Sequence, residues 1–327
     1  MYELLKKILA PIGPSGRETM VAKAIQAEIE GWVDTIETDA MGNLIATKQG
    51  KDANPRKIML SAHMDHIGFV VTGYEKEGFL RVTNVGGLSA KDCGNVRHVV
   101  FENGVEGVLA LEQVKDTPAM KNLFVDIGAE NKEEAMKMVQ LGDMAVYAPN
   151  VVRLGTHRVA SPAMDDRCAC ALLVKLLQSL KDTKDTIIAV FSVQEEVGCR
   201  GAQTASFAKA PDIGIALDVT GNGDTPETKI PSIRLGDGIA VKVMDRGSIS
   251  NPMLRDELLL CGEKAGVKTQ REVLPFGATD ASAMQLSRGG IPVCTLSIPC
   301  RYVHSACEVI DLRDMEAGLQ LLLTYLQ

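Results

Sequence analysis

Aromatic side chains are scarce in this sequence of 327 residues: 4% are Phe, Tyr or Trp, with a single Trp. Sugar-binding grooves lean on aromatic platforms, so an extended carbohydrate site is poorly supplied. Positive charge is not in excess either. Lys and Arg total 35 against 42 Asp and Glu, a net charge of -7. That balance offers no general attraction to phosphate backbones or anionic membranes, and nucleic acid is not expected as a partner. No uncharged apolar run reaches the ~20 residues of a membrane-spanning helix, so no membrane association is expected. The first ten residues interrupt their apolar side chains with Glu3, Lys6 and Lys7, and no secretory signal is read there. The eight cysteines form no CxxC pair, and a chain this long does not need disulfides. Reduced thiols and a cytoplasmic location are expected. Cys168 and Cys170 would diverge on a helix and make a poor pair of metal ligands. Internal repeats and low-complexity tracts are also missing.

What is present is 46% hydrophobic residues, enough for one large or two ordinary cores. Val21, Ala24, Ile25 and Ile29 recur at helical spacing, predicting a helix over 18–32 with Ser15 as a cap. Residues 57–62 (KIMLSA) read as a short buried strand. From 69 to 157 the texture changes to short β-prone runs, such as 107–111 and 144–147, separated by Gly, Asn and Asp. This predicts a small β-rich module inserted into a larger α/β unit. Beyond it come a helix over 165–180, strands over 186–193, 213–217 and 291–296, and a closing helix over 311–326 capped by Asp311. The alternation predicts a mixed or parallel sheet covered on both faces.

Four segments put carboxylates or imidazoles just past a buried strand: His63 with Asp65, Glu195 with Glu196, Asp218, and His304. Open α/β sheets bind their ligands at such strand ends. A fifth segment, Asp165 with Asp166, opens a helix whose N-terminal partial charge favours carboxylates. Taken singly, each has an ordinary reading. His63 suits any polar strand end, Asp165 and Asp166 a helix cap, Glu195 and Glu196 a solvated loop, Asp218 a turn, and His304 the surface. Their joint position is what those readings leave unexplained, since one sheet edge would gather them all. Two imidazoles and several carboxylates, with no thiolate required, suit Zn, Mn or Co, and a carboxylate can bridge two ions. A pair of ions about 3.5–4 Å apart can activate a shared water. Of the neighbours Glu195 and Glu196, one can bind metal while the other stays free as a general base, because adjacent residues point in different directions.

These segments belong to a longer series: PIGPSGRE from Pro11, SAHMDHIG from Ser61, ASPAMDDR from Ala160, SVQEEVGCRGA from Ser192, ALDVTGNGDTP from Ala216, FGATDA from Phe276 and SIPCRYVHS from Ser297. In that order and spacing the chain resembles the tetrahedral di-metal aminopeptidases, a family also labelled glutamyl aminopeptidase, deblocking aminopeptidase or endoglucanase. The resemblance implies a mixed-sheet α/β sandwich peptidase domain of residues 1–68 and 158–327, interrupted at 69–157 by a small β-barrel-like dimerisation domain. It implies two divalent metal ions per subunit, zinc foremost with cobalt or manganese as alternatives. His63, Asp165 and Asp218 would hold one ion, and Asp165, Glu196 and His304 the other. Glu195 would be the general base and Asp65 the residue that orients His63, with Asp166 and Asp280 in support. The implied substrates are short unfolded peptides that lose their N-terminal residue. The implied assembly is a homo-oligomer, a dodecamer built from dimers.

One position departs from the family pattern: His66 stands where Glu is common, a change expected to bear on pH optimum or metal preference. Two other functions compete. Paired acids acting on a glycosidic bond need no metal and leave His63 and His304 without a role. A scaffold that has lost its chemistry has no reason to keep the ligands, all of which are present.

Overall fold

The computed structural model describes residues 1–91, 93, 96–226 and 233–327. Among these, eleven strands form one large mixed sheet and six others close into a barrel, so the fold is the α/β type with an inserted barrel. The centre of the sheet is four parallel strands lying side by side: Thr186–Ser192, Lys57–His63, Ile213–Gly221 and Val293–Arg301. Successive residues along them alternate between two cores, as the strand period of two requires. Ile58, Leu60, Ala62, Ile187, Ala189, Phe191, Ile215 and Leu217 face one core with the helices Tyr2–Leu9, Thr19–Ile29, Met164–Ser179 and Leu312–Leu326. Met59, Ile188, Val190 and Ala216 face the other, with the helices Arg200–Lys209 and Asp280–Gln285. Cover on both faces is why these strands read as continuous apolar runs. No helix among the described residues is long and apolar enough to cross a membrane.

The C-terminal ends of the four strands share one sheet edge, and register levels their side chains. His63 pairs with Ser192, and Asp218 with Ser297. Asp218 lies within its strand rather than past its end. The ladder with Val293–Arg301 continues to the Gly221 and Cys300 pair, beyond the apolar run that marks the strand in the sequence.

The barrel follows the His63 strand directly. Its strands Gly68–Tyr74, Leu80–Val85, Leu123–Asp126, Glu106–Leu111, Arg97–Phe101 and Met144–Tyr147 close on one another around Phe69, Val82, Phe101, Leu109, Val125 and Tyr147. The rings of Phe69 and Tyr147 meet edge-on at 5.4 Å. The strand Val152–Leu154, inside the span read as inserted, pairs instead with Arg158–Ser161 in the large sheet. A three-residue edge strand exposed throughout carries no apolar pattern to mark it. Ser15 is not a helix cap either. The helix Thr19–Ile29 starts after Glu18, and Ser15 Oγ donates to Asp65 Oδ2 at 2.6 Å.

Candidate metal centre

His63, Asp165, Glu195, Glu196, Asp218 and His304 line one cavity of about 510 Å³ at the shared sheet edge. Asp65 lies fully buried behind it. The tautomer of each imidazole follows from its neighbours. His63 Nδ1 is 3.0 Å from the Asp65 carbonyl oxygen, which can only accept, so Nδ1 carries a hydrogen and Nε2 is the nitrogen left to take a proton or a metal ion. That Nε2 faces Asp165 Oδ1 at 3.1 Å, Glu195 Oε2 at 3.8 Å and Asp218 Oδ1 at 3.9 Å. His304 repeats the arrangement. Its Nδ1 donates to the Gly87 carbonyl at 2.8 Å, and its Nε2 faces Asp165 Oδ2 and Glu196 Oε2, both at 3.2 Å. Each oxygen of Asp165 therefore looks at a different imidazole.

A proton or a metal ion must lie between each Nε2 and the carboxylate oxygens, because lone pairs facing lone pairs at these distances would repel. Asp165 Oδ1, Asp166 Oδ1 and Glu196 Oε1 are buried without a hydrogen-bond partner. Two groups of donor atoms, His63 with Asp166 and Asp218, and Asp165 with Glu196 and His304, each lie within 4.8 Å of one another. The protonation equilibria express the same demand. Burial opposes charge on His304, yet Asp165 and Glu196 outweigh it and push the imidazole up to about 12. For His63 burial is likewise overcome, by Glu195, Asp165 and Asp65, and the imidazole lies well above its ordinary value. Burial pushes Asp218 up to about 8, with His63 partly offsetting and Asp165 adding to the rise. Oxygen and imidazole donors with Nε2 turned inward and buried oxygens left over fit divalent metal ions.

Several supporting groups were not legible from residue type. Asp165 and Asp166 precede the regular part of their helix, at φ -75°, ψ 105° and φ -121°, ψ 33°, so the pair is not a simple cap. Asp166 Oδ2 accepts the His63 backbone N–H at 3.1 Å. Asp65 approaches His63 Nδ1 with two groups: its backbone carbonyl is the nearer at 3.0 Å, and a carboxylate oxygen lies 3.6 Å away. The carboxylate also accepts the N–H groups of Glu195 at 2.9 Å and Glu196 at 3.2 Å, and so fixes the loop carrying both glutamates. Glu308, fully buried, accepts the N–H groups of Asp165 at 3.0 Å and His304 at 2.7 Å, tying together residues that are far apart in the chain. Asp280 accepts from Ser61 Oγ and Ser192 Oγ, both at 2.6 Å, beneath the two strand ends. Gly201 lets the next helix approach: a Cβ there would lie 2.2 Å from Asn43 Oδ1.

His66 is buried and is not among the residues that line the cavity. Its Nδ1 meets the Ile67 carbonyl at 2.9 Å, and burial, with Arg167 adding to it, pulls the imidazole down to about 3. A ring with that value does not itself change charge near neutrality; what the position lacks relative to the family pattern is the carboxylate charge. Arg167 is itself buried and donates to the carbonyls of Met64, Ile8 and Pro11, which binds the His63 loop to the N-terminal segment.

The sequence profile of the M42 glutamyl aminopeptidases matches residues 42–321. A candidate aminopeptidase of Acetivibrio thermocellus is 45% identical over 98% of this chain and 97% of its own length. Among solved structures, the aminopeptidase APDkam598 of the archaeon Desulfurococcus kamchatkensis superposes with a TM-score of 0.95 at 36% identity, covering 99% of this chain and 93% of that one. The TET1 peptidase of Pyrococcus horikoshii, which can assemble into a tetrahedron or a large octahedral shell, gives a TM-score of 0.87 at 33% identity, over 99% and 98% of the two chains. A histidine and carboxylate centre at the sheet edge, on this barrel-bearing fold and under this profile, has one reading at the level of family: the chain belongs to the M42 aminopeptidases, which are metal-dependent peptidases.

Proposed function

We propose that the protein removes the N-terminal residue from short unfolded peptides with the help of two divalent metal ions, zinc foremost and cobalt or manganese as alternatives. The observation that carries this reading is Asp165, whose two oxygens face His63 Nε2 and His304 Nε2 at 3.1 and 3.2 Å. His63, Asp165 and Asp218 hold one ion in this reading, and Asp165, Glu196 and His304 the other. When bound, such ions acidify a water and polarise the scissile carbonyl.

The chain's own residues supply the rest. Glu195 is the general base: it accepts a proton from the attacking water and delivers it to the leaving amine. Burial, with Asp218, Asp280 and Glu196 nearby and His63 partly offsetting, raises its carboxyl well above the ordinary range, which suits a group that must both take and return a proton. Asp65 keeps Glu195 and Glu196 in place through their backbone N–H groups. Glu308 keeps Asp165 and His304 aligned in the same way.

Chelation is expected to abolish hydrolysis of aminoacyl anilides, and Zn, Co or Mn to restore it. Activity on cellulose that survives chelation would overturn the reading in favour of a glycosidase. The same anilide panel ranks the side chains accepted at the substrate N-terminus.

For the assembly, the reading takes the two parts of the large sheet as the peptidase unit and the barrel as the dimerisation unit. The oligomer is a dodecamer built from dimers, in a cytoplasmic setting. Light scattering is expected to give the mass of twelve subunits; a monomer at working concentration would count against it.

A further inference from the structure

The side chain of Cys199 touches the carboxylate read above as the general base. Its Sγ is 3.2 Å from Glu195 Oε1, with the Thr279 carbonyl next at 3.4 Å, and Ser282 Oγ donates to the sulfur at 3.7 Å. The backbone builds this contact. Gly198 at φ +119° and Cys199 at φ +51° turn the chain back, and both N–H groups donate to the Glu195 carbonyl, at 2.8 and 2.9 Å, before the helix Arg200–Lys209 begins. Few side chains are tolerated in that left-handed region, and a β-branched one least. Cys199, with Gly198, also lines both the metal cavity and a groove of about 570 Å³ between the helices Arg200–Lys209 and Asp280–Gln285. Burial pushes its thiol above the ordinary range, and the neighbouring Glu195 and Asp280 carboxylates push it further. It stays S–H, a donor rather than a nucleophile or a metal thiolate.

We propose that Cys199 is a positioning residue, donating S–H to Glu195 Oε1 and thereby holding Oε2 toward the reacting centre, 3.8 Å from His63 Nε2. This rests on the reading of Glu195 as base. A glutamate has three rotatable bonds, and without an anchor on one oxygen it spends part of its time turned away. The fraction of molecules with the base in place falls, and kcat with it. The groups that bind metal and substrate are other residues, so KM stays.

The test uses Cys199→Ala, which removes the donor, and Cys199→Ser, which keeps one, each in the natural sequence and in Glu195→Gln, with thermal midpoint and metal content measured alongside. Cys199→Ala is expected to lose about five- to tenfold in kcat on an aminoacyl anilide with KM within about twofold. Cys199→Ser is expected to recover most of that loss. In the Glu195→Gln background Cys199→Ala is expected to add no further loss, because the two residues act as one unit. An unchanged kcat in Cys199→Ala, equal losses in Ala and Ser, or a further loss on top of Glu195→Gln would each overturn the proposal. Full activity in Glu195→Gln alone would remove the base and the proposal together. A large loss there beside a normal Cys199→Ala would refute the role of Cys199 alone.

Discussion

Glu195→Gln is expected to lower kcat by about 10²- to 10⁴-fold while metal content and fold are unchanged. The amide matches the carboxylate in shape, so packing against Cys199 survives, but it cannot accept a proton from water. Other residues in the cavity do not substitute for it. Glu196 faces His304 Nε2 at 3.2 Å, Asp218 Oδ1 accepts the Val219 backbone N–H at 2.7 Å, and Asp280, outside the cavity lining, is engaged at Oδ2 by two serine hydroxyls. The loss should fall on kcat and on kcat/KM alike, since the interaction is made in the transition state and not in binding. Single-turnover rates with metal analysis of the same sample check it. A rate equal to that of the natural sequence would show that the proton is taken elsewhere.

The sequence discloses those parts of the fold that rest on side-chain polarity. The runs ending at His63 and Ser192 are apolar on both faces, so each reads as a buried strand, and the polar residue that breaks the run reads as a site. The strand Ile213–Gly221 is the instructive exception, because Asp218 interrupts the apolar pattern without interrupting the hydrogen-bond ladder. Backbone groups account for most of what stayed hidden. Gly87 gives His304 its tautomer through a carbonyl, Asp65 does so for His63 in the same way, and Glu308 grips two N–H groups. Any residue type could offer such a carbonyl, and a buried acid after Ser305 and Cys307 looks like a loop residue until the strand Glu308–Asp311 is seen to pair with its neighbours. The ordinary reading of Ser15 as a cap failed for a related reason. Its hydroxyl serves a carboxylate fifty positions away, a distance that local patterns do not reach.

Stripped of metal by chelation, the protein is expected to lose stability as the pH rises from about 5 to about 8, by on the order of a few kcal/mol. The sign follows from where protons are held. Asp218 and Glu308 are each pushed up to about 8 in the folded chain, Asp218 by burial with Asp165 adding to it, and Glu308 by burial and then Asp165. Between the ordinary carboxylate range and about pH 8 the folded state keeps protons that the unfolded state has released. Unfolding therefore releases protons, and raising the pH favours it. The imidazoles act in the same direction over the upper part of the range: His304 is pushed up to about 12, so its contribution is complete below the ordinary histidine value and is lost progressively as the pH rises from there. Asp65 acts oppositely, because burial is outweighed by His63 and the Ser15 hydroxyl and its carboxyl is lowered; that contribution is lost in acid, below the window considered. Divalent ions replace the protons, so reloading should flatten the dependence and release protons on binding. Unfolding midpoints of chelated and reloaded protein at pH 5, 6.5 and 8, with titration in buffers of different ionisation enthalpy, measure both effects. A chelated protein whose midpoint stays level or rises across that range would mean that these buried acids are already charged without metal, and the case for a site built around cations would lose its electrostatic basis.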